Sequence, residues 1–373
     1  MQPRRVAVRE APPQPTLTLH REVRMGQALV FTEPRCITFE AEPDPSLKAA
    51  EVRLRTLYSG ISAGTELTAY RGSNPYMHKR WDSGQRLFVP SDTPTSAYPL
   101  RGWGYEEVGE VIEVGPSAEG VAVGDRVYGF WGHRTRHIVS DEYARQRRLP
   151  ANLEPVAGIF SQIGAIAVNG VHDAGLRIGE AAAVFGLGVP GQIVAQLAKR
   201  SGARVLGVDL FEVRLAKARE LGAIDDAINP ADGPAAEQIK TLTGGRGADV
   251  SIEVSGSAAA LAEAVRATAY SSKVVAMGFV QGEARGLYLG EEFHHNRVSI
   301  ISSQISGVAP ELSYRWDRLR MAQTIMRLQA EGSVHLTPLI THAFPFSQAA
   351  EAFRILDQEP ATTLQVVLDM TQE

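Results

Sequence analysis

Cysteine is nearly missing from this 373-residue chain: Cys36 stands alone, so no disulfide can close within it and no four-cysteine zinc lobe can form. Long hydrophobic runs are missing too. The longest, Ala157 to Val171, is broken by Ser161, Gln162 and Asn169 and falls short of the roughly 18 to 20 apolar residues that a membrane span needs. The first 24 residues carry Arg, Pro, Gln and Glu without an apolar block, which excludes a secretory signal and reads as an N-terminal extension. A basic excess is absent as well. Lys and Arg number 38 against 42 Asp and Glu, a net charge of −4, so nucleic acid is not expected as a partner. Together these absences predict a cytoplasmic protein with neither nucleic-acid nor membrane partners. What is present is ordinary globular material, 44% hydrophobic and 21% charged, in a length that suits two or three domains of roughly 150 residues each.

The rhythm changes along the chain. Residues 25–160 hold short strand-like runs, such as "VRLRTLYSGIS", "EEVGEVIEVG" and "RHIVS", punctuated by Gly and Pro, as in an all-β unit. Within them Gly72 to Leu100 is too long for a simple turn and reads as a lid or a disordered loop. Residues 161–307 alternate strand and helix: "AAAVF", "GLGVPG", "QIVAQLAKRSG", "RVLGVD", then "DVSIEV", "SAAALAEAVRAT" and "KVVAMGF". That alternation predicts an α/β domain with a doubly wound parallel sheet covered by helices on both faces. Residues 308–373 resume the earlier style. No internal repeat is visible.

Gly186, Gly188 and Gly191 spell G-x-G-x-x-G around Val189 and Pro190. With 35 glycines the triplet is weak evidence alone, but it follows a strand, opens a helix and precedes Asp209, 18 positions beyond Gly191. The three glycines suit a tight turn, a close approach to pyrophosphate and close helix packing. The helix N-terminus offers partial positive charge to phosphates. Asp209 is placed to accept from a ribose and would repel a 2′-phosphate, which favours NAD over NADP. Arg214 either covers the adenine or is a solvated helix arginine. Ser255 and Gly278, which lie after and within the later strand runs, join the cofactor set.

The element order, "GLGVPG" with Asp209, and the tail "LTPLITHAFPFSQAAEAFRIL" resemble the medium-chain dehydrogenase/reductase superfamily from about Met25 to Met370. The resemblance implies a GroES-like β-barrel catalytic domain to which the tail returns, an inserted Rossmann domain, a small-molecule substrate, and a homodimer or homotetramer paired through the cofactor domain. The strand "VSIISS" (Val298 to Ser303) either pairs across that subunit boundary, as the resemblance implies, or is an ordinary buried strand. Zinc-dependent members carry a catalytic metal on three side chains. At those places this sequence is read as having Ser59 in "SGISAGTE", Tyr105 in "GYEEVGEV" and Gln162 in "SQIGAIAVNG". A neutral hydroxyl, a phenol and an amide are poor zinc ligands, so the expectation is a zinc-less branch, with NAD and no metal. Within it, "SGISAGTE" and "YPLRGWGYEEVGEV" are similar to the bacteriochlorophyllide a dehydrogenase type.

Without zinc another group must move the proton that accompanies hydride transfer. The candidate catalytic set is Tyr105, Ser59, Glu66 and Gln162. Tyr105 leads as proton donor or acceptor, Ser59 would hydrogen-bond the substrate oxygen, and Glu66 is a second candidate base. Glu106 reads as structurally paired, and His133 and His137 as surface residues with a lesser claim to a proton relay. The arginines from Arg134 to Arg148 read as a solvated face. The expected activity is interconversion of a secondary alcohol and its ketone. The alternatives are a zinc-less enone or quinone reductase and a non-catalytic dinucleotide-binding protein.

Overall fold

A computed structural model describes residues 25–371, and the N-terminal extension expected at residues 1–24 lies outside them. The molecule is α/β, with a parallel-sheet domain and a separate domain built on mixed sheets.

The parallel sheet has six strands. In sheet order they are Asp226–Ile228, Arg204–Val208, Ala181–Phe185, Ala248–Glu253, Thr268–Ala276 and Ser299–Ser302. Every neighbouring pair runs parallel, and chain order reverses beside Ala181–Phe185, the crevice where doubly wound sheets bind ligands. All five residues of that strand are buried, which is why its sequence is a continuous apolar run and does not alternate. Helix Val189–Arg200 follows at once, with Gly188 as its N-cap residue and Pro190 in its first turn, where a missing N–H costs nothing.

The second domain centres on the long strand Glu51–Ile61. It pairs antiparallel with Glu107–Val114 along one edge, and along the other with Arg136–Ser140 at its beginning and with the C-terminal strand Gln365–Asp369 at its end. The Gln365–Asp369 pairing draws the end of the chain back, setting Val366 opposite Ile61 and Leu368 opposite Ser59. Phe31, Tyr70, Phe346 and Phe353 fill the core where the strand Met25–Glu33, the helix Glu66–Arg71 and the C-terminal segment meet.

The segment from Gly72 to Leu100 is folded. Asn74 caps a short 3-10 turn at Pro75–Met77, and Arg80–Asp82 pairs antiparallel with Leu87–Val89. Trp81 and Phe88 pack at 4.9 Å in this hairpin, and Ser73 Oγ donates to Gln281 Oε1 of the cofactor domain at 2.8 Å.

Candidate active site

One cavity of about 550 Å³ is bounded by both domains. The cofactor domain contributes Gly186, Gly188, Val189, Pro190, Asp209 and Arg214, together with Ser255 and Gly278. Gly186 adopts φ +92°, and a Cβ there would lie 2.7 Å from that of Ser255. A Cβ on Gly191 would sit 1.8 Å from the Gly186 carbonyl oxygen, so the turn has room for glycine only. Asp209 Oδ2 accepts the Leu187 amide at 2.7 Å and Oδ1 accepts the Phe211 amide at 2.9 Å, which fixes the carboxylate at the cavity wall. Arg214 Nη1 lies 3.8 Å from Asp209 Oδ2, its Nη2 donates to the Pro360 carbonyl, and its guanidinium covers the Phe211 ring. This cradle fits a dinucleotide: a bare backbone turn and a helix N-terminus for phosphates, with a carboxylate at the end of the next strand for a ribose.

On the catalytic side the wall holds Ser62, Thr65, Tyr105 and Glu106, with Gln365 from the returning C-terminal strand. Ser62 Oγ and the Tyr105 hydroxyl are hydrogen-bonded to one another, and Tyr105 lies 3.4 Å from Thr65 Oγ1. Burial holds the Tyr105 phenol protonated far above its ordinary range, and the nearby Glu106 carboxyl adds to the effect.

Three of the four expected catalytic residues are not among those lining the cavity. Ser59 is fully buried beneath it, donating to Glu107 Oε1 at 3.0 Å and touching His133 Nδ1 at 2.7 Å. The place beside Tyr105 belongs to Ser62, the residue the sequence reading passed over. The signal was available: Ser62 lies just past the last residue of the strand Glu51–Ile61, where the chain turns into the site. Glu66 is the side chain that meets an imidazole. Its Oε2 meets His133 Nε2 at 2.5 Å and its Oε1 accepts the Ser62 amide at 2.9 Å. Gln162 is buried near the start of helix Phe160–Ala174, and it is Ile163 and Ile166 that reach the cavity.

His133 is 2% exposed, not a surface residue. Burial alone would lower its pKa, but the charge and hydrogen bond of Glu66, with Glu107 behind, raise it overall. His137 is stacked on Trp131, and burial followed by Arg134 brings it down to about 4. Glu107 accepts from Ser59 and from the Trp131 amide at 2.7 Å, and burial carries it up to about 7. Glu106, read from the sequence as structurally paired, is buried against Gly60 and Gln365, and burial followed by the charges of Glu66 and Glu107 raises its pKa well above the ordinary value, with a Gln365 hydrogen bond opposing.

A six-stranded parallel sheet with a glycine turn at its reversal point, opening into a polar pocket on a second domain, defines a dinucleotide-linked oxidoreductase. The zinc-binding dehydrogenase family model matches residues 190–320. D-guloside 3-dehydrogenase of Escherichia coli K12 is 33% identical over 346 residues, covering 91% of this chain and 98% of that one. (R,R)-Butanediol dehydrogenase of Bacillus subtilis is 28% identical over 82% of this chain and 88% of its own. The crystal structure of 2R,3R-butanediol dehydrogenase from Bacillus subtilis superimposes with a TM-score of 0.73 at 24% identity, over 92% of this chain and 99% of that one. The chain belongs to the medium-chain dehydrogenase/reductase superfamily, as an oxidoreductase of alcohols.

The zinc in the family's description meets a donor set here that does not suit it. Ser62 and Tyr105 are neutral hydroxyls bonded to each other, and the phenol is held protonated, whereas zinc takes thiolate, imidazole or carboxylate. Among the described residues no group of three His, Cys, Asp or Glu side chains stands ready to hold a metal ion.

Proposed function

We propose that this protein interconverts a secondary alcohol and its ketone with NAD(H) and without zinc. The observation that carries the reading is that the glycine turn with Asp209 and the Ser62–Tyr105 hydroxyl pair line one and the same cavity. When bound, the nicotinamide takes hydride from the alcohol carbon or returns it to the ketone.

The chain's residues do the rest. Gly186, Gly188 and the helix beginning at Val189 receive the phosphates, and Asp209 accepts from the ribose hydroxyls. Ile163, Ile166, Leu67 and Leu364 give the cavity apolar walls that exclude water, which strengthens each remaining hydrogen bond. Tyr105 donates its proton to the reacting oxygen as a ketone is reduced and is left as phenolate hydrogen-bonded to Ser62; in the other direction the alcohol proton returns to that phenolate, the form that the positive charge of an oxidised nicotinamide would favour. Glu66 accepts the Ser62 amide and ties it to His133, so it positions the pair without touching the cavity. The short-motif likeness to the bacteriochlorophyllide a type brings no substrate into this reading.

The edge strand Ser299–Ser302 pairs with Thr268–Ala276; in this reading its other edge meets a second subunit through the cofactor domain. The test is a spectrophotometric screen of secondary alcohols with NAD and with NADP, paired with calorimetry of both dinucleotides. Oxidation supported by NAD is the expected result. Exclusive use of NADPH on enones or quinones would replace the reading with its reductase alternative, and binding without turnover of any substrate would leave a dinucleotide-binding protein.

A further inference from the structure

Among the described residues two cations line the cavity, Arg214 and Arg71. Arg214 is already committed, to Asp209 and to the Pro360 carbonyl. Arg71 is the last residue of the helix Glu66–Arg71, on the catalytic side. Its Nε donates to Asp357 Oδ1 at 2.5 Å, and neither Nη has a partner among the described residues. Arg35 Nε donates to the other oxygen of Asp357 at 3.1 Å, so two guanidinium groups share one carboxylate and a positive charge is left over. Burial pushes the Asp357 carboxyl up, but the hydrogen bonds from Arg71 and Arg35 hold it below its ordinary value, and it stays ionised as their anchor. The anchor is 6% exposed and the Arg71 side chain 39%. An arginine gripped at Nε presents Nη1 and Nη2 as a planar fork, the shape that takes two oxygens of a phosphate.

Position along the cavity decides what the fork meets. Toward the ribose end, Arg214 beside Asp209 reaches Pro360, three residues beyond Asp357. Toward the reacting end, Glu66, the first residue of the Arg71 helix, accepts the amide of Ser62 beside Tyr105. Arg71 therefore stands between the two ends. In a dinucleotide that stretch is the pyrophosphate, with a negative charge on each phosphate. The glycine turn and the start of helix Val189–Arg200 offer it backbone amides and partial charge, but no full positive charge. We propose that Arg71 binds the pyrophosphate from the catalytic domain, its two terminal nitrogens donating to phosphate oxygens while Asp357 and Arg35 hold it in place. The inference rests on the dinucleotide reading above and adds to it a cation from the opposite wall.

The test titrates the full chain with NADH, followed by the fluorescence of the bound dinucleotide, and with ADP-ribose and adenosine, followed by calorimetry. Arg71→Ala should raise the dissociation constants of NADH and ADP-ribose by about tenfold or more, and leave that of adenosine, which has no phosphate, within about twofold. Arg71→Lys, which keeps the charge and loses the fork, should fall between wild type and Arg71→Ala. The NADH constant of the wild type should also rise more steeply with salt than that of Arg71→Ala, a difference that a general loosening of the site would not produce. Melting temperature establishes that each variant is folded. An unchanged NADH constant in Arg71→Ala, or an equal loss for adenosine, would overturn the inference. So would a defect confined to the turnover of substrates that carry a carboxylate or phosphate, which would assign Arg71 to the substrate. If the wild type binds neither NADH nor ADP-ribose, the dinucleotide reading falls and the inference with it; if it binds both and Arg71→Ala binds them equally, the inference alone falls.

Discussion

Ser62 Oγ and the Tyr105 hydroxyl share a hydrogen bond at the wall of the cavity that also receives the glycine turn. If the pair moves the proton, Tyr105→Phe should lower kcat by about 100-fold or more, with NAD affinity unchanged. Ser62→Ala, which leaves the phenol Thr65 as its remaining neighbour, should lower it less. The measurement is kcat at saturating NAD with the most active alcohol of the screen. A loss below about threefold for Tyr105→Phe would reduce the residue to packing.

Asp209 is held by two backbone amides, from Leu187 and Phe211, so its orientation does not depend on a ligand. In the proposed NAD-linked reading its charge opposes a 2′-phosphate. Replacing it by Ser or Ala should weaken NAD binding and shift the NAD/NADP ratio of kcat/KM toward NADP. An unchanged ratio would show that the ribose contact lies elsewhere.

The difference between what the sequence disclosed and what it hid follows from distance along the chain. Gly186, Gly191 and Asp209 fall within 24 residues, and their geometry is dictated by one strand, one turn and one helix. The turn could therefore be read locally, down to its φ-positive glycine. The network beneath Tyr105 joins Ser59, Glu66, Glu107 and His133, separated by up to 74 positions, from two paired strands, a helix and a loop. Nothing local shows that His133 turns inward or that Glu66 meets it. The choice between Ser59 and Ser62 depended on which residue of one strand end faces the cavity, and a short shift moves a side chain to the other face. Gln162 missed the cavity by helix phase: it stands one residue, about 100° of rotation, before Ile163.

Metal content checks the donor-set argument independently of any substrate. Elemental analysis of protein purified without chelator should find far less than one zinc per chain, and prolonged EDTA treatment should leave activity and melting temperature unchanged. Stoichiometric zinc, or activity lost to EDTA and restored by zinc, would mean that the hydroxyl pair is rearranged around an ion in the working enzyme.

Glu107 links the buried network to stability. Its carboxyl titrates near 7 in the folded protein, because burial outweighs the opposing charge of His133 and the hydrogen bonds from Trp131 and Ser59, against an ordinary value of 4.5. Between those two values the folded chain holds a proton that the unfolded chain has released, so this group's contribution to stability falls as pH rises through the window. Below 4.5 it contributes nothing; above 7 the folded state carries the full cost of a buried charge. His133, raised overall by Glu66, acts in the same sense, whereas His137 and His172, both lowered by burial, act oppositely below their ordinary value of 6.5. The net pH dependence of the wild type is therefore mixed, and the variant isolates one group. Glu107→Gln loses an acceptor for Trp131 or Ser59 at every pH but never ionises, so its melting temperature relative to wild type should rise steadily from pH 5.5 to pH 8. A difference that stays flat across that range, measured by calorimetry at constant ionic strength, would mean that Glu107 is already ionised in the folded protein at pH 5.5 and that His133 compensates it fully.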